Sequence, residues 1–218
     1  MAVSEDLQLV ELVAARLCHD LVGPIGAIAN GAELLGDGGA LDVEVVALIG
    51  ESARRASRRL QIYRVAYGTA ASLSSSHRLD EARRLVQALL EDQASVTLDW
   101  PAPDAAIESA AGRLAIKVTL VLVLIALELL PRGGTIAIHH AAPRPGRIAF
   151  EITARGTPAR LPEELQSVFN SGTINLATPK AVPALLALRL ARAADGSLTV
   201  EASGGEVVKF SAEIAAGV

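Results

Sequence analysis

The chain has 218 residues, of which 51% are hydrophobic and 20% charged, a balance too apolar for a disordered protein and sufficient for one large domain or two small ones. Its net charge of -4 argues against a general nucleic-acid-binding surface. The single cysteine, Cys18, excludes an intramolecular disulfide and a cysteine-based metal cluster, and reads as a small buried apolar residue.

A long amphipathic helix is predicted over residues 7–35. Counted at 100° per residue, Val10, Ala14, Leu17, Leu21, Ile25, Ile28 and Leu35 fall within about 60° of one direction and form a seam expected to be buried. Leu12, Ala15, His19, Gly23, Gly26, Asn30 and Glu33 fall within about 40° of the opposite direction. His19 is therefore displayed outward, with Asp20 beside it and small residues around it, placed to react with a partner rather than to pack. Gly23 and Gly26 each cost roughly 1 kcal/mol relative to Ala inside a helix, so helix stability does not account for them. They leave room beside His19 for another protein's backbone. Pro24 removes a hydrogen bond to the carbonyl of Asp20 and predicts a bend one turn after His19. No basic region followed by an apolar core opens the chain, so a secretory leader is not expected.

The first helix should stop at the glycine-rich residues 36–39. A second should start at Asp42, a good N-cap. On that helix Val46, Ile49, Ala53, Ala56, Leu60, Tyr63 and Tyr67 share a face, and Glu51, Arg54, Arg55 and Arg58 lie on another. Two helices alone cannot enclose such seams, so a second copy of the chain is expected to complete a four-helix bundle. The arginine face is suited to attracting an acidic partner.

Residues 68–76 read as a linker, dividing a helical domain (residues 1–72) from a mixed domain (residues 73–218). Beyond it a strand is expected at residues 76–79, a helix capped by Asp80 to about residue 91, a strand at 95–100 and a helix over 110–130. Strands at 135–140 and 147–154 follow, then helices at 162–169 and 179–194, and strands at 197–202 and 207–214. The order implies an α/β sandwich with helices over one face of the sheet, so the whole chain is α+β. Lys117 and Glu128 interrupt the most apolar stretch and leave an uncharged run too short for a bilayer. A cytoplasmic protein with neither membrane nor nucleic-acid partner is the expectation. Gly133, Gly134, Gly204 and Gly205 read as turns. His139 and His140 point to opposite faces of a strand and, with His77, suggest no metal site.

His19, Asp20 and Pro24 match the phosphoacceptor box of sensor histidine kinases. The longer run from Cys18 to Ile28, with Asn30-Gly31, Glu33-Leu34-Leu35 and the stretch from Arg59 to Gly68, resembles the dimeric ChpT-type histidine phosphotransferases of alphaproteobacteria. The second domain resembles a Bergerat-type kinase ATPase domain in outline only. Aligned on residues 129–136, Val121 and Ile125 stand where metal-binding asparagines are expected, and apolar side chains cannot hold Mg²⁺. Ala154 and Pro158 replace an adenine-binding aspartate and a loop glycine.

The resemblance implies a phosphotransfer protein that relays a phosphoryl group between receiver-domain aspartates of a hybrid histidine kinase and of response regulators, without ATP. His19 is the expected nucleophile, since neutral imidazole is available near pH 7, and Asp20 its orienting carboxylate. Leu12, Arg16, Gly23, Gly26, Ala27, Asn30, Arg54, Arg55 and Arg58 are the expected partner-contact residues. No cofactor is expected on this chain, Mg²⁺ coming with the receiver. The alternatives are a noncatalytic receiver-docking protein and, further off, an ATP-dependent histidine kinase.

Overall fold

Two long helices, α1 (Glu5–Gly36) and α2 (Val43–Ala66), open the chain as an antiparallel hairpin in the computed structural model, which describes residues 4–36, 42–69, 78–91, 93–174 and 177–217. Asp42 caps α2 as expected, its carboxylate accepting the Glu44 N–H at 2.8 Å. The helices approach closely at Gly31, where a Cβ would lie 2.6 Å from Ile49 Cγ1. The predicted stop after Gly36 and most of the predicted linker lie outside the described residues.

The C-terminal domain follows as α3 (Leu79–Leu90), β1 (Val96–Asp99), α4 (Ala105–Ala110), α5 (Arg113–Glu128), β2 (Gly134–Ala141), β3 (Arg147–Arg155), α6 (Glu163–Ser171), α7 (Val182–Ala193), β4 (Ser197–Ser203) and β5 (Val207–Ala215). The sheet order is β1-β2-β3-β5-β4, with β1 and β2 parallel and the other pairs antiparallel. Alternation along β3 and β5 sends every second residue to the helices. The register aligns Ile138 with Ile152, Ile152 with Phe210 and Phe210 with Val200, a continuous apolar row across four strands. Against it lies α5, buried from Ala115 to Leu127 on nearly all sides, and α7 packs on α5. Burying one such side chain stabilises the fold by about 1.5–3 kcal/mol. Gly204 and Gly205, at φ 60° and 69°, turn β4 into β5 with the Glu206 N–H donating to Ser203 O, the double positive-φ turn that strand twist favours.

Three expectations are corrected. Leu79, placed on a strand by its apolar character, is the first residue of α3; residues 76 and 77 lie outside the described residues. Asp80 does not cap α3 but sits in its first turn, paired with Arg83 and Arg84. The short α4, capped by Asp104 through the Ile107 N–H at 2.8 Å, was not anticipated because six residues carry too little periodicity.

The hairpin seams are only partly closed. Val10 is 63% exposed and Ile25 52%, and Val22, Leu34, Val46 and Leu60 are also exposed. On α2 the buried arc is turned toward Ile62, Val65 and Ala66, because its C-terminal half docks on α3 and α5 as well as α1. By length and composition α1 could cross a membrane. In this fold, however, Leu9, Leu12 and Leu17 pack against the C-terminal core, and Arg189 of α7 pairs with Glu5 at 2.9 Å.

Candidate functional site

His19 sits midway along α1, its side chain 81% exposed. The helix runs unbroken through Pro24. Beside the imidazole, a Cβ added at Gly23 or Gly26 would meet only open space, so internal packing does not require glycine at either position. Asn30 is exposed as well. Cys18, expected to be buried, is exposed.

Asp20 has the opposite surroundings, with a side chain only 6% exposed. Its Oδ2 accepts from Arg16 Nε at 2.8 Å and from the Tyr63 hydroxyl at 2.5 Å, while its Oδ1 lies 3.2 Å from His19 Nδ1. Burial alone would raise this carboxyl. The hydrogen bonds from Tyr63 and His19 and the charge of Arg16 outweigh it and hold Asp20 below its ordinary pKa. Tyr63 is pushed well upward by burial and by the Asp20 carboxylate, which keeps its hydroxyl a donor. Tyr67, with its ring centroid 5.4 Å from that of Tyr63, is pushed up to about 12 by burial.

Arg16 continues the chain of contacts. Its Nη2 donates to Glu128 at the end of α5, so the guanidinium joins α1 to the C-terminal domain. The expectation that Arg16 reaches a partner therefore meets a buried side chain already engaged inside the protein. Leu12 likewise packs against the core, because the hairpin leans on α7.

His19 and Asp20 open onto a groove of about 910 Å³. One wall is the hairpin, including Gly23, Ala27, Arg55 and Arg59. The other comes from the C-terminal domain through Glu128, Glu164, Thr178 and Lys180. Of the predicted contact residues, Leu12, Gly26, Asn30, Arg54 and Arg58 stand outside this groove. Arg55 pairs with Glu51 at 2.8 Å and Arg58 with Glu91. Tyr63, Arg59, Glu128 and Lys180 were not identified as site residues from sequence. Tyr63 carried the one available signal, an aromatic with a polar tip on a helix facing His19.

In the C-terminal domain the positions aligned with a kinase nucleotide site are filled. Val121 and Ile125 are buried in the α5 core and Ala154 is fully buried in β3. None of the three offers an oxygen to a metal or a polar handle to a base, so these residues do not fit a metal-bound nucleotide.

A family model described as the histidine phosphotransferase C-terminal domain matches residues 79–206. The protein phosphotransferase ChpT of Brucella abortus is 33% identical over 220 residues, covering 95% of this chain and 96% of that protein. A solved structure of a bacterial phosphotransferase is similar at 30% identity and a TM-score of 0.76, over 97% of this chain and 98% of that one. The Acinetobacter baumannii histidine kinase AdeS, at 15% identity and a TM-score of 0.52 over 90% and 97% of the two chains, shares the fold.

Proposed function

Because the chain belongs to the histidine phosphotransferase family, we propose that it relays a phosphoryl group through His19 between aspartates of receiver domains, taking it from a hybrid histidine kinase and giving it to response regulators. The observation that carries this reading is an exposed imidazole held by a buried carboxylate at the mouth of a two-walled groove.

In the forward step the lone pair of His19 Nε2 attacks the phosphorus of an aspartyl phosphate. The N–P bond forms as the bond from phosphorus to the aspartyl oxygen breaks, and the electron pair leaves on the receiver's carboxylate. The ring keeps its Nδ1 hydrogen and gains positive charge, which Asp20 stabilises from 3.2 Å. Transfer to the next aspartate reverses these changes. Mg²⁺ on the receiver supplies charge neutralisation for the transferring group. This chain contributes position: an imidazole on a rigid helix, reached in line.

Gly23 and Ala27 leave the approach open, and Arg55 and Arg59 give it a basic border suited to an acidic receiver surface. The uncovered apolar residues Val10, Ile25, Val46 and Leu60 support a homodimer in which two hairpins form a four-helix bundle. The same reading places the chain in the cytoplasm with its receivers.

The test is incubation with a receiver carrying radiolabelled phosphoaspartate, alongside incubation with labelled ATP alone. Wild-type protein is expected to take label from the receiver and none from ATP, and His19→Ala to take none from either. Full labelling of His19→Ala overturns the site, and binding of the receiver without any labelling makes the chain a docking protein.

A further inference from the structure

Resting on the reading of His19 as phosphoacceptor, we propose that Tyr63 and Arg16, the latter anchored by Glu128 of the C-terminal domain, are positioning residues that fix the tautomer of His19 with its Nε2 lone pair toward the incoming phosphoryl group.

Asp20 links His19 to both residues. Its Oδ2 is occupied twice, by the Tyr63 hydroxyl at 2.5 Å and Arg16 Nε at 2.8 Å, which leaves Oδ1 for His19 Nδ1 at 3.2 Å. An ionised carboxylate only accepts hydrogen bonds, so Nδ1 must carry the hydrogen in this contact. A neutral imidazole has one N–H, and the lone pair therefore lies on Nε2. An imidazole free in water favours the other tautomer, with its hydrogen on Nε2 and no lone pair there.

With its side chain 81% exposed, the His19 ring has little packing of its own to hold it, so its tautomer depends on the orientation of one carboxylate. That carboxylate is 6% exposed, which limits competition from water. Tyr63 reaches it from α2, and Arg16 from the preceding turn of α1. Arg16 is itself held from outside the hairpin, since its Nη2 donates to Glu128, the last residue of α5. A domain whose nucleotide positions are filled with apolar side chains thus acts on the phosphoacceptor through one guanidinium. The role of Tyr63 and Glu128 is indirect: they orient Asp20, which orients His19.

The experiment uses the full chain with ¹⁵N-labelled histidine, as wild type, Tyr63→Phe and Glu128→Ala, with His19→Gln to assign the His19 signals. At about pH 8, where exposed imidazole is neutral, the ring-nitrogen shifts report the tautomer, and phosphoryl transfer from a labelled receiver is timed on the same samples. Wild-type His19 is expected as the Nδ1–H tautomer. Both variants should gain Nε2–H tautomer and transfer about fivefold to tenfold more slowly, as for loss of one ordinary hydrogen bond. Should Tyr63→Phe fail to fold, Glu128→Ala, at a partly exposed position, decides alone. An Nε2–H wild type, or an unchanged Nδ1–H tautomer in a folded variant, overturns the inference while leaving phosphoryl acceptance by His19 intact. A wild type that takes no phosphoryl group overturns the underlying reading instead.

Discussion

Helix α5 is buried from Ala115 to Leu127, with only Lys117 and Leu124 less than fully enclosed along that stretch, whereas α1, twice as long, buries only Arg16 and Gly31. The C-terminal domain closes its own core, and the positions that would serve a nucleotide in a kinase have become part of that closure. The hairpin does the reverse, holding a carboxylate inside while leaving both an imidazole and much of its apolar seam outside. One region encloses Val121, Ile125 and Ala154 in its core. The other leaves apolar residues uncovered. The second region shares the fold of a histidine kinase, while the first keeps an imidazole exposed beside a buried carboxylate.

The sharpest way to break this contrast is to place an amide where a kinase has one. Val121→Asn or Ile125→Asn should cost about 3–5 kcal/mol, combining lost apolar burial with an unsatisfied polar group, as read by urea unfolding, and should confer no ATP binding by calorimetry. Unchanged stability would mean that the α5 core is not closed as described.

A polar substitution in the hairpin should behave differently. Ile25→Glu, at a half-exposed position, should leave the chain folded and raise the dissociation constant of the proposed dimer on the order of a hundredfold, the loss of one central apolar contact. Sedimentation equilibrium checks it, and a variant that stays dimeric at the wild-type affinity removes that face from the interface.

Acid should find the C-terminal domain through His140, which is stacked between Trp100 and Phe150 and lowered to about 4 by burial and by the nearby His139. Between about 6.5 and 4 the unfolded chain binds this proton and the folded chain does not, so stability falls as pH falls through that window, by about 1.4 kcal/mol per pH unit. His140→Phe should flatten this part of the profile in denaturant titrations. The lowered Asp20 carboxyl acts in the same direction further into acid, as its hydrogen bonds are lost on protonation.

The smallest effect is expected at Arg54, an exposed charge on α2 outside the groove. Arg54→Ala should slow phosphoryl transfer about threefold at low salt and less at high salt, since an exposed charge contributes mainly to encounter rate. Stopped transfer, or a salt-independent effect, would contradict that role.

Much of the C-terminal domain was legible because its strands alternate and α5 is apolar on all sides. The His19, Asp20 and Gly23 part of the site was legible because neighbours in a helix are fixed by counting. Contacts between elements were not. Periodicity placed Tyr63 on an apolar face of α2 but could not show its hydroxyl meeting Asp20, 43 residues away in sequence. It placed Arg16 near the outward face of α1 but could not show Glu128 drawing it inward across 112 residues. Leu12 was misjudged for the same reason, since the C-terminal domain that covers it leaves no trace in the repeat of α1.

The central claim is that a single imidazole carries the phosphoryl group. Phosphorus-31 magnetic resonance of the chain after incubation with a phosphorylated receiver tests it most directly. One phosphohistidine resonance is expected, assigned to Nε2 of His19 and absent from His19→Ala. A phosphohistidine signal that persists in His19→Ala, or a wild-type spectrum with no phosphohistidine beside a receiver that binds, would contradict it.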